Sequence, residues 1–267
     1  MTRIEDQRIL VWCNQEKYLK ETILDAVYLA LKLEREICLF GQYESEKEQR
    51  KLTNRVQVYA RIIKADIPHL SVSTLLLKGT LPQIIPELGK TYNAILFCCS
   101  GKMNSTLLKA FHLSGFPFYF RKKSTTPVQR FKKVVIPIDF RNSTKDATLW
   151  GSYFGRFNQS EITLKIAHDS KDKEMRNKVE KNVAFVRKFY DQFSFPFKFE
   201  NGKSGSWGIH LETMKNSNNF DLLIFPGSLN ITLLDRIWGP FEKRIVNHSK
   251  ISILLCNPQK EMYILCN

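Results

Sequence analysis

The sequence predicts an α/β protein made of two copies of one domain, each with a parallel β-sheet covered by helices on both faces. Two observations support this prediction. Short apolar runs alternate with longer segments of helical periodicity along the chain, which is typical of β-α-β crossovers and hence of parallel sheets. The second half of the chain also repeats the first half, element for element.

The duplication can be read directly from the sequence. The stretch that begins at Arg8 aligns without a gap to the stretch that begins at Lys133, at an offset of 125 residues. The identical pairs at this offset are Lys20/Lys145, Leu24/Leu149, Tyr28/Tyr153, Glu36/Glu161, Ile37/Ile162 and Leu39/Leu164. Later elements repeat at offsets of 127, 128 and 135 residues. A rising offset with an unchanged order of elements indicates two copies of one domain.

The elements follow the same order in both copies. Short apolar runs predict the first three strands at Arg8–Cys13, Glu36–Phe40 and Ser71–Leu77, and again at Lys132–Ile138, Glu161–Ala167 and Phe195–Glu200. Apolar residues at helical spacing predict helices at Leu19–Leu33, Glu44–Lys64 and Leu81–Leu88, and again at Ser143–Phe157, Asp172–Gln192 and Trp207–Lys215. A fourth strand (Tyr92–Phe97; Phe220–Phe225), a last helix and a fifth strand (Phe116–Phe120; Ile251–Leu255) complete each copy.

These elements define the predicted domains. The first covers residues 1–122, and the second covers residues 131–267 with an extra strand in the tail "EMYILCN". The polar, basic and proline-bearing segment 123–130 is the predicted linker.

Bulk composition narrows the class of protein. With 43% apolar residues in 267, each copy can bury its own core. The charged N-terminus lacks the apolar run of a signal peptide, and no apolar window approaches the roughly 20 residues of a membrane span. We therefore expect a cytoplasmic chain with no membrane contact. The six cysteines lie in or near apolar runs without metal-site spacing, which favours buried free thiols.

Asp139 is the first candidate for a binding residue. It directly follows the predicted strand Lys132–Ile138, and ligands of open parallel sheets lie beyond the carboxyl ends of the strands. An acid at this position would either face such a ligand or cap the next helix. The residues themselves leave both interpretations open.

A glycine-bearing loop after the fourth strand of the second copy is the other candidate. The strand leads into Gly227 and Ser228, and Gly239 and Pro240 stand at the start of the last helix. This is the general plan of a phosphate cradle, in which glycines and helix N–H groups approach the anion. Proline at the first position of a helix also suits an ordinary helix start with no ligand.

Together, the strand that ends in Asp139, the five-strand order, the Gly227 loop and the duplication resemble the universal stress proteins of the UspA family, over nearly the whole chain. The resemblance implies two Rossmann-like domains of the adenine nucleotide alpha hydrolase-like type, each a five-stranded parallel sheet flanked by helices. It also implies a non-catalytic role in a stress response, an intramolecular pseudo-dimer and a possible homodimer. In the nucleotide-binding branch of the family the loop reads G-x2-G-x9-G-[ST] and cradles ATP or AMP phosphates, with the acid against the adenosine.

The match to that nucleotide-binding pattern is partial. Asp139 and Gly227 match, whereas Asn230 replaces the second glycine. Gly239 arrives one residue early, and Pro240 replaces the Ser or Thr. We therefore expect a degenerate nucleotide site in the second copy at Asp139, Gly227, Ser228, Asn230 and Gly239. ATP or AMP binding there, as a switch or a weak ATPase, is the alternative.

The first copy departs further from the pattern. Asn14 replaces the acid, and the shorter loop has only Gly101. Losing several charge-assisted hydrogen bonds, each worth about 1.5–3 kcal/mol, predicts no ATP binding in this copy.

The remaining patterns do not predict an enzyme. "SGKMNST" lacks the first glycine of a P-loop, and "GKSGSWG" lacks the last glycine of a nucleophile elbow. The five histidines show no metal-ligand spacing, so we expect no metal and no catalytic residues. The net charge of +15 and the basic run between Arg121 and Arg141 leave polyanion binding as a further alternative. A solvated linker explains that run better, so nucleic acid is not an expected partner.

Overall fold

The computed structural model describes residues 7–123, 127–169, 171–227 and 240–257. These residues form two compact units. The first contains residues 7–121 and 127–129, and the second contains residues 122–123, 130–169, 171–227 and 240–257. The predicted extra strand in the tail lies outside the described residues.

The first unit is a five-stranded sheet with four helices. Its strands are β1 (Arg8–Trp12), β2 (Glu36–Tyr43), β3 (Val72–Lys78), β4 (Ala94–Ser100) and β5 (Phe118–Arg121). Its helices are α1 (Leu19–Leu33), α2 (Glu46–Asp66), α3 (Leu81–Lys90) and α4 (Ser105–Leu113). The strand order is β3-β2-β1-β4-β5, and each neighbouring pair is parallel. The order reverses between β1 and β4, which is where such sheets hold ligands.

The second unit repeats this plan. Its strands are β6 (Lys133–Ile138), β7 (Glu161–Ile166), β8 (Phe197–Asn201), β9 (Leu222–Pro226) and β10 (Ser252–Cys256). Its helices are α5 (Thr144–Asn158), α6 (Lys173–Tyr190), α7 (Ile209–Lys215) and α8 (Phe241–His248). The order is β8-β7-β6-β9-β10, again with parallel neighbours. The predicted fold class, a five-stranded parallel sheet flanked by helices in each copy, is confirmed.

Differences at element ends have local causes. Helix α2 begins at Glu46 and not at the predicted Glu44, because Ser45 and Glu48 form a capping box. Helix α7 begins at Ile209 and not at Trp207, because Ser206 precedes it in a turn and donates its amide to Asp169 at 2.9 Å. Polar contacts of this kind cannot be predicted from the spacing of apolar residues.

The core of the second unit depends on a close approach of α5 to the sheet. A Cβ atom on Gly151 would overlap the side chains of Ile136 on β6 and Tyr190 on α6. We therefore expect Gly151→Ala to lower the free energy of unfolding by about 1–3 kcal/mol, despite the better helix propensity of alanine. Urea denaturation followed by far-UV circular dichroism measures the change. An unchanged urea midpoint would show that Ile136 and Tyr190 can move to make space for a methyl group at position 151.

The cysteines behave as small core residues. Cys13, Cys38, Cys98, Cys99 and Cys256 are buried free thiols, as predicted. Burial raises the pKa of Cys13 to about 12 and the pKa of Cys38 to about 11, so neither is a reactive thiolate near neutral pH. Cys266 lies outside the described residues. Of the helices in the described ranges, none is both long and apolar enough to cross a membrane.

Candidate functional site

The candidate site of the second unit lies at the carboxyl end of β6, beside β9, where the strand order reverses. Asp139 is the first residue after β6 and is only 1% exposed. The turn that follows it leads directly into α5. The sequence pattern therefore placed this acid correctly at the carboxyl edge of the sheet.

Hydrogen bonds within the protein engage both carboxylate oxygens of Asp139. Oδ1 accepts from the backbone N–H of Arg141 and from the hydroxyl of Thr144, each at 2.8 Å. Oδ2 accepts from Nε of Arg141 at 2.5 Å and lies 2.8 Å from Nε2 of His210. An ionised carboxylate has about four acceptor positions. Arg141 and Thr144 fill three of them, and His210 fills the fourth in the tautomer that carries a proton on Nε2. The side chain ties the turn to α5 and α7.

His210 completes this cluster from the second residue of α7. Its ring is 1% exposed and meets the rings of Phe225 and Phe241 edge to face, at centroid distances of 4.8 and 5.8 Å. Nε2 also lies 2.7 Å from Nη2 of Arg141. One ring nitrogen either donates or accepts, so Nε2 serves Asp139 or Arg141 but not both at once. Nδ1 is buried and has no hydrogen-bond partner within the described residues.

The backbone of the turn is held from α6. The side-chain amide of Asn182 donates to the carbonyl of Asp139 at 2.8 Å and to the carbonyl of Arg141 at 3.0 Å. Asn182 is itself buried. Two helices and the turn therefore fix the orientation of Asp139, which makes the cluster rigid.

The pKa values of the cluster follow from this packing. Burial by itself would raise the pKa of Asp139, but the hydrogen bond from His210 and the charge of Arg141 outweigh it and lower that pKa to about 2. Burial lowers the pKa of His210, and its bond to Asp139 only partly opposes this. At neutral pH the arrangement is thus an aspartate, an arginine and a neutral imidazole.

Of the other predicted site residues, the structure describes only Gly227. Gly227 is buried directly after β9, and its amide donates to the carbonyl of Cys256 at 2.8 Å. This amide therefore already serves the sheet. Ser228, Asn230 and Gly239 lie outside the described residues, so the predicted loop pattern stays a prediction.

The equivalent edge of the first unit is closed in a different way. Asn14, which replaces the acid, exchanges two hydrogen bonds with the backbone of Gln42 at 2.6 and 2.9 Å. Gln15 accepts from the backbone N–H of Ser100 at 2.7 Å, which links the end of β1 to the end of β4 across the point where the order reverses. Gly101 follows with a positive φ of 79°. In this unit, too, polar groups at the edge bind one another.

A groove elsewhere in the second unit is a poorer candidate. It has a volume of about 770 Å³ and lies between the end of β7 and α6, and its lining includes neither Asp139 nor His210. The charged groups that line it include Asp169, Arg176, Glu180, Arg187 and Asp191, so both signs are mixed. Across the described ranges, no group of three or more His, Cys, Asp or Glu side chains is placed to hold a metal ion.

Comparison with known proteins agrees with this geometry at the level of fold. No protein-family model and no curated protein matches the sequence. A solved universal stress protein from Archaeoglobus fulgidus superposes with a TM-score of 0.69 over 95% of this chain and 97% of that one, at 13% identity. The chain has the universal stress protein fold. A protein of unknown function from Pseudomonas aeruginosa PAO1 is also similar, with a TM-score of 0.61 over 94% of this chain and 92% of that one, at 11% identity.

Sequence reasoning found Asp139 but missed the side chains that bind it. Arg141 lies in the turn after β6 and Thr144 is the first residue of α5, and nothing in their spacing sets them apart. His210 is not spaced from other histidines as a metal ligand would be, and the sequence gives no other sign of its role. Asn182 could have been found from the sequence as a buried polar residue, because it lies between Val179 and Val186 on the buried face of α6.

The low pKa of His210 predicts a pH dependence of stability. The unfolded chain takes up a proton near pH 6.5, whereas the folded chain resists it. The free energy of unfolding contributed here is therefore complete above about pH 6.5 and falls as pH drops below that value. We expect His210→Gln to flatten the change in melting temperature between pH 7 and pH 5. His168→Gln, at an exposed position, is the control, and an equal flattening in both variants would contradict the assignment.

Proposed function

We propose that the chain is a cytoplasmic tandem universal stress protein of the UspA type that acts as a non-catalytic binding and regulatory module in a stress response. The observation that supports this most is the state of Asp139. Its oxygens accept three hydrogen bonds from Arg141 and Thr144, and His210 lies 2.8 Å from Oδ2. The residue that faces adenosine in nucleotide-binding members is here a structural link.

The nucleotide implied by the fold does not fit the described part of this site. An adenosine group that bound Asp139 would compete with the Arg141 and Thr144 donors that its two oxygens already accept. The amide of Gly227 is also engaged, with Cys256. A degenerate site agrees with these contacts better than a working one.

Differential scanning fluorimetry with ATP, with AMP and without ligand tests this proposal. A ligand at 100 times its Kd adds about 2.7 kcal/mol of stability, which is several degrees for a chain of this size. We expect a change of less than about 1 °C with either nucleotide at millimolar concentration, because the carboxylate is already satisfied. A concentration-dependent rise of several degrees would contradict the proposal.

That outcome would support the second candidate function, an adenine-nucleotide-dependent switch in the second unit. One observation favours it: Nδ1 of His210 is a buried polar atom without a partner in the described residues, and a ligand could satisfy it. His210→Phe separates the two cases. It should abolish a nucleotide-induced shift that depends on Nδ1.

A further inference from the structure

The outer surface of α5 and α6 in the second unit carries aromatic rings alternating with cations. Nζ of Lys145 lies 4.9 Å from the centre of the Phe185 ring. Phe185 and Phe189 are stacked with centroids 6.2 Å apart and planes at 16°, and Phe189 meets Phe193 edge to face at 5.4 Å. The guanidinium of Arg156 lies 4.5 Å from the Phe193 ring. We call this set the aromatic–cation face.

The core of the second unit does not require the Phe185 ring, whereas Phe189 and Phe193 are half-buried and contact Tyr190 and Phe195. The buried face of α6 is formed by Val179, Asn182, Val186 and Tyr190. Phe185 points away from that face and is 44% exposed. Exposed large rings on a soluble protein commonly mark interaction sites.

The charge of the two helices indicates what kind of partner fits. Helix α6 has six basic and two acidic residues, and α5 has two basic and one acidic. Lys181 and Lys188 are exposed, and they lie four residues before and three residues after Phe185. That spacing places them on the same side of the helix as the ring. The face therefore offers stacking surfaces within a positive field.

The first unit provides an internal comparison. At the offset of 127 residues, Phe185 and Phe189 correspond to Val58 and Ile62, which are 52% and 49% exposed. The fold thus leaves apolar side chains exposed here in both units, but only the second unit carries rings. Aliphatic side chains would suit many protein partners. The combination of flat rings with cations selects a partner that has flat rings and negative charge.

We propose that the aromatic–cation face binds single-stranded nucleic acid, with bases stacked on Phe185 and Phe189 and phosphates against Lys181, Lys188 and Arg156. Proteins that bind single strands without sequence preference combine these two features, and stacking contributes about 1–3 kcal/mol per base. The inference is independent of the proposed regulatory role, because none of the side chains that it uses is among the hydrogen-bond partners of Asp139. It also differs from the basic linker, which has no interleaved aromatic side chains apart from Phe131.

Fluorescence anisotropy with the full chain and a labelled single-stranded RNA of about 12 nucleotides tests the proposal. We expect Phe185→Ala to weaken binding about 5- to 100-fold, which is the stacking free energy of one base. Phe185→Leu should weaken it similarly, because leucine keeps apolar bulk but has no flat face. Val58→Ala in the first unit should leave the affinity unchanged. Circular dichroism melting shows whether each variant is folded.

The salt dependence gives a second readout. Each phosphate contact contributes about 0.7 to the slope of log K against log salt for a single strand, so Lys188→Gln should reduce the slope by about that amount. Absence of binding, full affinity in Phe185→Leu or an unchanged slope in Lys188→Gln would each overturn the proposal. A dimer detected by sedimentation and lost in Phe185→Ala would also overturn it, by assigning the face to a second copy of the chain.

Discussion

Replacing Asp25 with leucine is expected to lower the free energy of unfolding of the first unit by about 3–5 kcal/mol. Asp25 lies on α1 and is fully buried. It accepts hydrogen bonds from the hydroxyl of Tyr119 at 2.6 Å, from the guanidinium of Arg121 and from the backbone N–H of Gln129 at 2.7 Å. Burial raises the pKa of Asp25, and these donors oppose that rise.

The loss of stability in Asp25→Leu is large because Arg121 stays buried after its carboxylate partner is removed. Arg121 is 1% exposed, so its charge has no route to water when Asp25 is lost. Leaving one member of a buried ion pair without its partner is strongly destabilising, whereas replacing both members by apolar side chains is often neutral. The double variant Asp25→Leu, Arg121→Met should therefore recover at least half of the loss.

Urea denaturation of the single and double variants, followed by far-UV circular dichroism, measures both values. Asp66→Ala, at an exposed position at the end of α2, is the control and should change stability by less than about 0.5 kcal/mol. A double variant as unstable as Asp25→Leu would show that Asp25 acts through contacts other than Arg121.

Asp139→Ala is expected to lower the free energy of unfolding of the second unit by about 2–4 kcal/mol. The change removes the acceptor of the Arg141 backbone N–H, of the Arg141 Nε and of the buried Thr144 hydroxyl, together with the contact to His210. The effect is smaller than at Asp25, because the Arg141 side chain is 21% exposed and can reach water.

A graded series separates the contributions to the Asp139 effect. Thr144→Val removes one donor to Asp139 and should lower stability by about 1 kcal/mol. Urea denaturation monitored by far-UV circular dichroism measures both variants. A loss below about 1 kcal/mol in Asp139→Ala would mean that the carboxylate is free for another role, which would favour a ligand-binding interpretation.

The fold could be predicted from the sequence because the same series of strand and helix patterns occurs in both halves of the chain. Apolar runs and amphipathic helices appear twice in the same order, and a parallel sheet is the only arrangement that short β-α-β crossovers allow. The position of Asp139 was readable for the same reason, since it follows a buried strand. Its role was not. Whether an acid faces a ligand or binds its neighbours depends on side chains such as His210, which lies 71 residues away in the chain.

The aromatic–cation face illustrates the same limit. Phe185, Phe189 and Phe193 follow one another at intervals of four residues, and helical spacing alone would assign them to the core. Only the packed structure shows that Phe185 points outward and that cations from α5 lie over the rings of Phe185 and Phe193. Contacts between different helices cannot be derived from the periodicity of either one.

The central claim is that side chains of the protein itself bind the carboxylate of Asp139. A crystal structure of the chain grown with millimolar ATP and Mg²⁺ tests it. We predict that the carboxylate keeps Arg141, Thr144 and His210 as its partners, with no adenosine density at the carboxyl end of β6. Adenosine density against Asp139, with the Arg141 side chain displaced, would contradict the account.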